Sequence, residues 1–119
     1  MIDSILTSIK KLLGITETCT DFDDDIIMDI NTVFMDLKQL GVGPSEGFSI
    51  EDDVAVWNDF IDAETNPEKK ALLSASKSYI HLKVKLLFDP PLSSAVTQAI
   101  NSQIDELEWR LNIEAESNE

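Results

Sequence analysis

Asp21-Phe22-Asp23-Asp24-Asp25 is the densest run of metal-competent side chains in this chain. A calcium loop beginning at Asp21 would need glycine at its sixth position for the turn and a bidentate glutamate at its twelfth. Those positions hold Ile26 and Thr32, so calcium binding is not expected. A helix N-terminus explains the cluster without a ligand, because the aligned peptide dipoles there favour anions. His81 and Cys19 are the sole histidine and the sole cysteine. A nucleophile and its base must come within hydrogen-bond reach, and no nucleophile motif supports such a pair. His81 reads as an ordinary helical side chain and Cys19 as a small buried or loop thiol with no disulfide partner. Gly41-Val42-Gly43 precedes Pro44 and closes a helix instead of opening one, so it is no phosphate loop. The expectation is a protein that is not an enzyme, with no catalytic residue, cofactor or metal.

Trp57 and Trp109 lie within amphipathic patterns and read as core or interface anchors. Base-stacking platforms need basic neighbours, whereas Trp57 stands among Asp52, Asp53, Asp59 and Asp62. Lys77, Lys83 and Lys85 spread around one helix, which suggests a solvated face. The alternative is that these lysines meet acidic residues of a neighbouring subunit.

Charge narrows the partners further. The chain has 119 residues and a formal net charge of -14. From Asp21 to Glu64 there are thirteen acids against one base, Lys38, a local excess of twelve negative charges. Such a block repels nucleic acid, since phosphate binding needs Lys or Arg to displace counterions. It serves solubility, or a surface that faces DNA without gripping it, or one that imitates DNA. No apolar run approaches the ~20 residues of a membrane span, and the N-terminus lacks a basic leader region, so a soluble, unexported protein is expected.

The elements that must position these residues are helical. Asp3 reads as the N-cap of a first helix with Ile5, Leu6, Ile9, Leu12 and Leu13 on one face; Lys10 and Lys11 complement its C-terminal dipole and Gly14 stops it. A second helix starts near Asp21 and runs on Ile26, Ile27, Ile30, Val33, Phe34, Leu37 and Leu40 to Gly41. A loop follows to Asp53, with Phe48-Ser49-Ile50 as a brief extended piece. Val54, Trp57, Phe60 and Ile61 predict a short third helix capped by Asp52 or Asp53. Asn66-Pro67 opens the longest helix, whose inner stripe is Leu72, Leu73, Ser76, Tyr79, Ile80, Lys83, Val84, Leu87 and Phe88. Pro90 ends it. Ser93 or Ser94 caps a last helix carrying Val96, Ala99, Ile100, Ile104, Leu107 and Leu111 inward. The fold class is all-α, a small bundle of four to five helices with a long irregular loop between the second and third. Residues 1–113 form one domain, and residues 114–119 a polar, disordered tail.

Val84-Lys85-Leu86-Leu87-Phe88-Asp89-Pro90-Pro91 carries a resemblance as well as a corner. With the opening Ile5-Leu6-Thr7-Ser8-Ile9-Lys10-Lys11-Leu12-Leu13-Gly14-Ile15, Gln39-Leu40-Gly41-Val42-Gly43-Pro44, the Trp57-x-x-Phe60 pair and Ile104-Asp105-Glu106-Leu107-Glu108-Trp109-Arg110-Leu111, the chain resembles the head–tail connector, or head-completion, proteins of tailed phages. These are common in phages and prophages of Gram-positive bacteria. The resemblance covers nearly the whole chain. It implies a structural virion protein: a ring under the portal protein that extends the DNA channel and docks stopper or tail-completion proteins. The ring is expected to be dodecameric in the virion, with the free chain able to stay monomeric. DNA passes through without specific binding, no membrane is involved, and assembly occurs in the host cytoplasm. The resemblance brings no catalytic residue or cofactor. Phe88, Asp89, Pro90 and Pro91 transfer as a structural corner. Phe48, Ile50 and Trp57 on one side and Lys83 and Lys85 on the other are the expected oligomer interface. The rival reading is an acidic DNA-mimic inhibitor of a DNA-processing enzyme.

Overall fold

The structure is a computed structural model that describes residues 4–117. In chain order it contains α1 (Ile5–Leu12), α2 (Asp23–Gln39), a single-turn α3 (Trp57–Phe60), a 3-10 turn (Pro67–Lys69) that leads into α4 (Lys70–Phe88), and α5 (Ser94–Ser117). The protein is all-α, a small bundle in which α4 is the central helix and packs along both α2 and α5. The one β feature among the described residues is an isolated bridge between Ser4 and Val56.

Ser4 caps α1: its Oγ accepts from the Thr7 N–H at 3.1 Å. Asp3, to which the sequence assigns this role, lies outside the described residues. Ile5, Leu6 and Ile9 are buried as their spacing predicts, whereas Leu12 is exposed. Lys10 departs most from expectation. It is no solvated dipole partner but is 3% exposed. Its Nζ donates to the carbonyls of Glu17 (3.1 Å) and Cys19 (2.6 Å) and lies 2.9 Å from Asp23 Oδ1. Two of the ammonium's donors take hydrogen bonds to these carbonyls and the Asp23 carboxylate supplies the countercharge, which is what makes its burial tolerable. The same contacts pin the segment between α1 and α2 against the bundle.

In α2, Asp23, Asp24 and Asp25 occupy the first turn as the dipole argument predicts, although the helix begins at Asp23 and not at Asp21. Its other end closes with Gly41 at φ 84°, whose N–H reaches Lys38 O (3.0 Å) while Val42 N–H reaches Leu37 O (2.9 Å). That pair of bonds needs a left-handed residue at Gly41, a conformation costly for any residue with a Cβ. Gly43, at φ 90°, has a second requirement besides its left-handed backbone: a Cβ there would stand 2.5 Å from Phe60 Cε1.

The caps expected for α3, Asp52 and Asp53, do not cap it. Asp52 Oδ1 accepts from Val54 N–H (3.0 Å) in a local turn, and residues 55–56 are held extended beside α1 by the Ile5 N–H to Ala55 O bond (2.8 Å). The helix therefore starts later, and Asp59 reaches back to the Val56 N–H (2.9 Å). Ahead of α4, Pro67 opens the 3-10 turn, and Asn66 makes no side-chain cap bond to it. Buried Ser76 returns its hydroxyl to Leu72 O at 2.8 Å. The longest helix is α5, with 24 residues against 19 for α4. α4 is shortened because its expected first residues form the 3-10 turn, and α5 is lengthened because residues 114–117, expected to lie in a disordered tail, continue it. Ala115 follows Leu111 by one turn, extends the inward stripe and is buried near Gly41.

Candidate assembly surfaces

The residues expected to reach a neighbour from the long loop face inward. Phe48 is half-buried and packs edge-on against Phe34 (centroids 5.0 Å apart) and beside Phe60 (5.4 Å). Ile50 is buried, and the Asn31 side chain clamps its backbone: Oδ1 accepts from the Ile50 N–H at 2.8 Å and Nδ2 donates to its carbonyl at 2.9 Å. An amide side chain on α2 thus does for this segment what a neighbouring strand would do. Trp57 is buried too, its Nε1–H donating to Ser8 Oγ at 3.1 Å, with Lys77 Nζ 5.4 Å from the ring centroid. Phe48 and Ile50 have no helical stripe of their own to join, and Trp57 reads from its amphipathic pattern as a core or interface anchor. They join the core, and little of Ile50 or Trp57 is left to present to another subunit.

Lys83 and Lys85 are likewise engaged. Lys83 Nζ bonds Asp36 Oδ2 of α2 at 2.8 Å and the Tyr79 hydroxyl at 3.3 Å. Tyr79 in turn donates to Glu108 Oε2 of α5 at 2.7 Å. The chain Asp36–Lys83–Tyr79–Glu108 therefore ties α2, α4 and α5 together through one polar seam. Burial, together with the bond to Glu108, holds the Tyr79 phenol in its protonated form well above the usual tyrosine range. Lys85 lies 3.6 Å from Asp89 one turn on, a half-exposed pair of small worth. His81 is half-buried, and desolvation, with Lys85 nearby, lowers its pKa against the opposing effect of a hydrogen bond to the Leu12 backbone.

At the corner, α4 ends with Phe88, and Asp89 takes φ -143° and ψ 69°, outside the helical region as a residue before proline must be. Phe88 stacks edge-on with Phe22, centroids 5.6 Å apart, and so fastens the corner to the start of α2. Leu87, expected inward, is exposed because Phe88 takes the inward place in that last turn. Val96 and Ala99, expected on the inner stripe of α5, are also exposed. Leu92, just after the double proline, is wholly exposed at 106%.

Two further apolar surfaces stand exposed, one not foreseen from the sequence and one that carries Trp109, which the sequence leaves as a core or interface anchor. On α2, Met28 and Met35 are each 67% exposed, with Asp24 and Asp25 one turn before Met28. On α5, Trp109 is 66% exposed and, with Ile113, borders a groove of about 320 Å³ whose floor includes Ala71 and Ala75 of α4. Helical arithmetic could have found Trp109. It stands two residues from both Leu107 and Leu111, about 200° around the helix from each, and so opposite the buried stripe.

The acidic block is partly spent on local structure. Asp52, Asp59 and Asp62 each accept a backbone N–H in a turn or helix start, and Asp23 and Asp36 pair with Lys10 and Lys83. The bond from Thr65 N–H holds the Asp62 carboxyl below the usual range. Burial, reinforced by Asp25, raises that of Asp29 on α2. Among the described residues no group of three or more His, Cys, Asp or Glu converges as a metal ion would require, and no helix is long and apolar enough to cross a membrane.

Residues 5–118 match a protein family described as phage connector protein. No curated protein and no solved structure matches the chain.

Proposed function

We propose, from the premise that this chain belongs to the phage connector family, that it is the subunit of a ring seated under the portal of a filled capsid. The family carries the coarse role, a structural head–tail connector of the virion. The finer reading is that the ring prolongs the DNA channel and offers the docking platform for the stopper or tail-completion protein. Its subunits assemble in the host cytoplasm, and its work is assembly and not catalysis.

The observation that carries this reading is the extent of the match, which takes in all five helices and the corner between α4 and α5. Charge agrees with it. Lys10, Lys77, Lys83, Lys85 and Arg110 are among the basic residues engaged within the chain, and with 23 acids against nine bases the surface is dominated by carboxylates. Such a surface lets a duplex slide past, because it offers few cations to exchange for the counterions of DNA. The DNA-mimic alternative draws no comparable support, since several of its carboxylates serve as turn and cap acceptors.

Disrupting the gene in the phage that encodes it should give DNA-filled heads and free tails that do not join. Adding the purified protein to such heads should restore joining. Normal tailed particles from the disrupted phage would overturn the proposal.

A further inference from the structure

Burial is divided unequally at the corner. Among the described residues, every buried apolar side chain except Ile100, Ile104, Leu111 and Ala115 precedes Asp89. The shorter α2 sends Ile26, Ile30, Val33, Phe34 and Leu37 inward, each at most 1% exposed. From Asp89 to Ala99 no residue is buried at all, so the first turn of α5 stands clear of the bundle. Beyond it, α5 packs along α4 and along no other helix to a comparable extent.

The α4–α5 seam is also loosely filled. One crevice of about 330 Å³ lies between Ser78 and Leu82 of α4 and Gln103 and Leu107 of α5. A second, of about 320 Å³, lies between Ala71 and Ala75 and Ile113. A third, of about 340 Å³, opens where Ala115 meets Gly41. Unfilled space beside a side chain forfeits dispersion contacts, so α5 is held less firmly than its length suggests. Under it, α4 offers small side chains at Ala71, Ala75 and Ser78, and baring these exposes little apolar area.

Polar contacts divide the same way. The buried Tyr79 donates its hydroxyl to Glu108 Oε2 of α5 at 2.7 Å, and a bond to a carboxylate is stronger than one between neutral groups. On the other side of Tyr79, Lys83 holds Asp36 of α2 at 2.8 Å, a bond that does not involve α5. Prolines fix φ at positions 90 and 91, so any reorientation of α5 falls to the exposed Leu92 that follows them. We propose that α5 is a latched arm: it swings off α4 as one unit while α1 to α4 stay folded, and the Tyr79–Glu108 bond is its latch. Opening bares Tyr79 and the inner stripe of α5 together. Such an arm is a property of the single chain, independent of the connector reading.

Hydrogen–deuterium exchange of the full chain in dilute solution tests this, because amides freed by a local opening exchange more readily than those freed only by global unfolding. The amides of residues 104–111 in α5 should share one protection factor, about a hundredfold below that of residues 30–37 in α2. Asn31→Ala weakens the body and not the arm, so it should speed exchange in α2 by about tenfold or more and leave α5 unchanged. Tyr79→Phe keeps the ring and removes the latch, and it should speed exchange in α5 about tenfold. Global unfolding breaks the same bond, so α2 should follow by the same factor. Equal protection of α5 and α2, or acceleration of both by Asn31→Ala, overturns the arm. An α5 rate untouched by Tyr79→Phe overturns the latch.

Discussion

The loop between α2 and α3 and the outer side of α5 hold similar residues in opposite situations. Phe48, Ile50 and Trp57 sit in or just after an irregular, acidic, glycine-bearing stretch, and the fold turns them inward. Trp109 sits in the middle of a regular amphipathic helix, and the fold turns it outward. An apolar residue without periodicity has no default side, so a nearby core captures it wherever backbone polar groups can also be satisfied. Here Asn31 satisfies those of Ile50. A residue in a helix has its side assigned by rotation, and an apolar one on the wrong side stays exposed until another surface covers it. Irregular segments therefore hide their apolar residues from a sequence reading, while helices advertise theirs.

Phe48→Asp should break this contrast most sharply. It places a carboxylate among Phe34 and Phe60, and we expect a loss of at least about 3 kcal/mol in urea unfolding. A folded variant of undiminished stability would mean that the loop does not belong to the core. Asn31→Ala should cost about 2 kcal/mol, because it strands both the N–H and the carbonyl of Ile50; a change near zero would show that the clamp is dispensable.

A pH titration calibrates the bundle between these regions. The folded-state pKa of His81 is lowered, so below its ordinary value near 6.5 the unfolded chain takes up the proton first. Stability is then level above about pH 7 and falls as the pH drops through about 6.5 toward the lower folded value. His81→Gln should flatten that part of the profile, and an unaltered slope would assign it to the carboxylates. The smallest change in stability belongs to Trp109→Ser, within about 0.5 kcal/mol by the same unfolding measurement. A large loss there would make Trp109 a core residue and erase the contrast.

Much of the fold was legible because helices repeat. Ile26, Ile30, Val33, Phe34 and Leu37 on α2, and Leu72, Leu73, Ser76, Tyr79, Ile80 and Val84 on α4, are buried where their spacing predicts. Gly14 and Gly41 stop their helices, and Asp89 leaves the helix before Pro90. The family, too, was legible, through motifs whose order mattered more than any one of them. What could not be read was the fate of residues governed by partners distant in sequence. Lys10 looked like a surface lysine because its acceptors at Glu17, Cys19 and Asp23 become adjacent only once the chain turns back. The α3 cap was misplaced because a bond between Ile5 and Ala55 holds the preceding residues extended.

By itself, then, the sequence determined the helices, their stops, the corner at Phe88-Asp89-Pro90-Pro91 and the excess of negative charge. All of these follow from local backbone preference, side-chain period and composition. Only the tertiary structure decided which apolar residues are interior, which lysines are already paired, and that Trp109, Met28 and Met35 stand exposed. Those outcomes depend on where α2, α4 and α5 meet in space, and a one-dimensional pattern carries no record of that meeting.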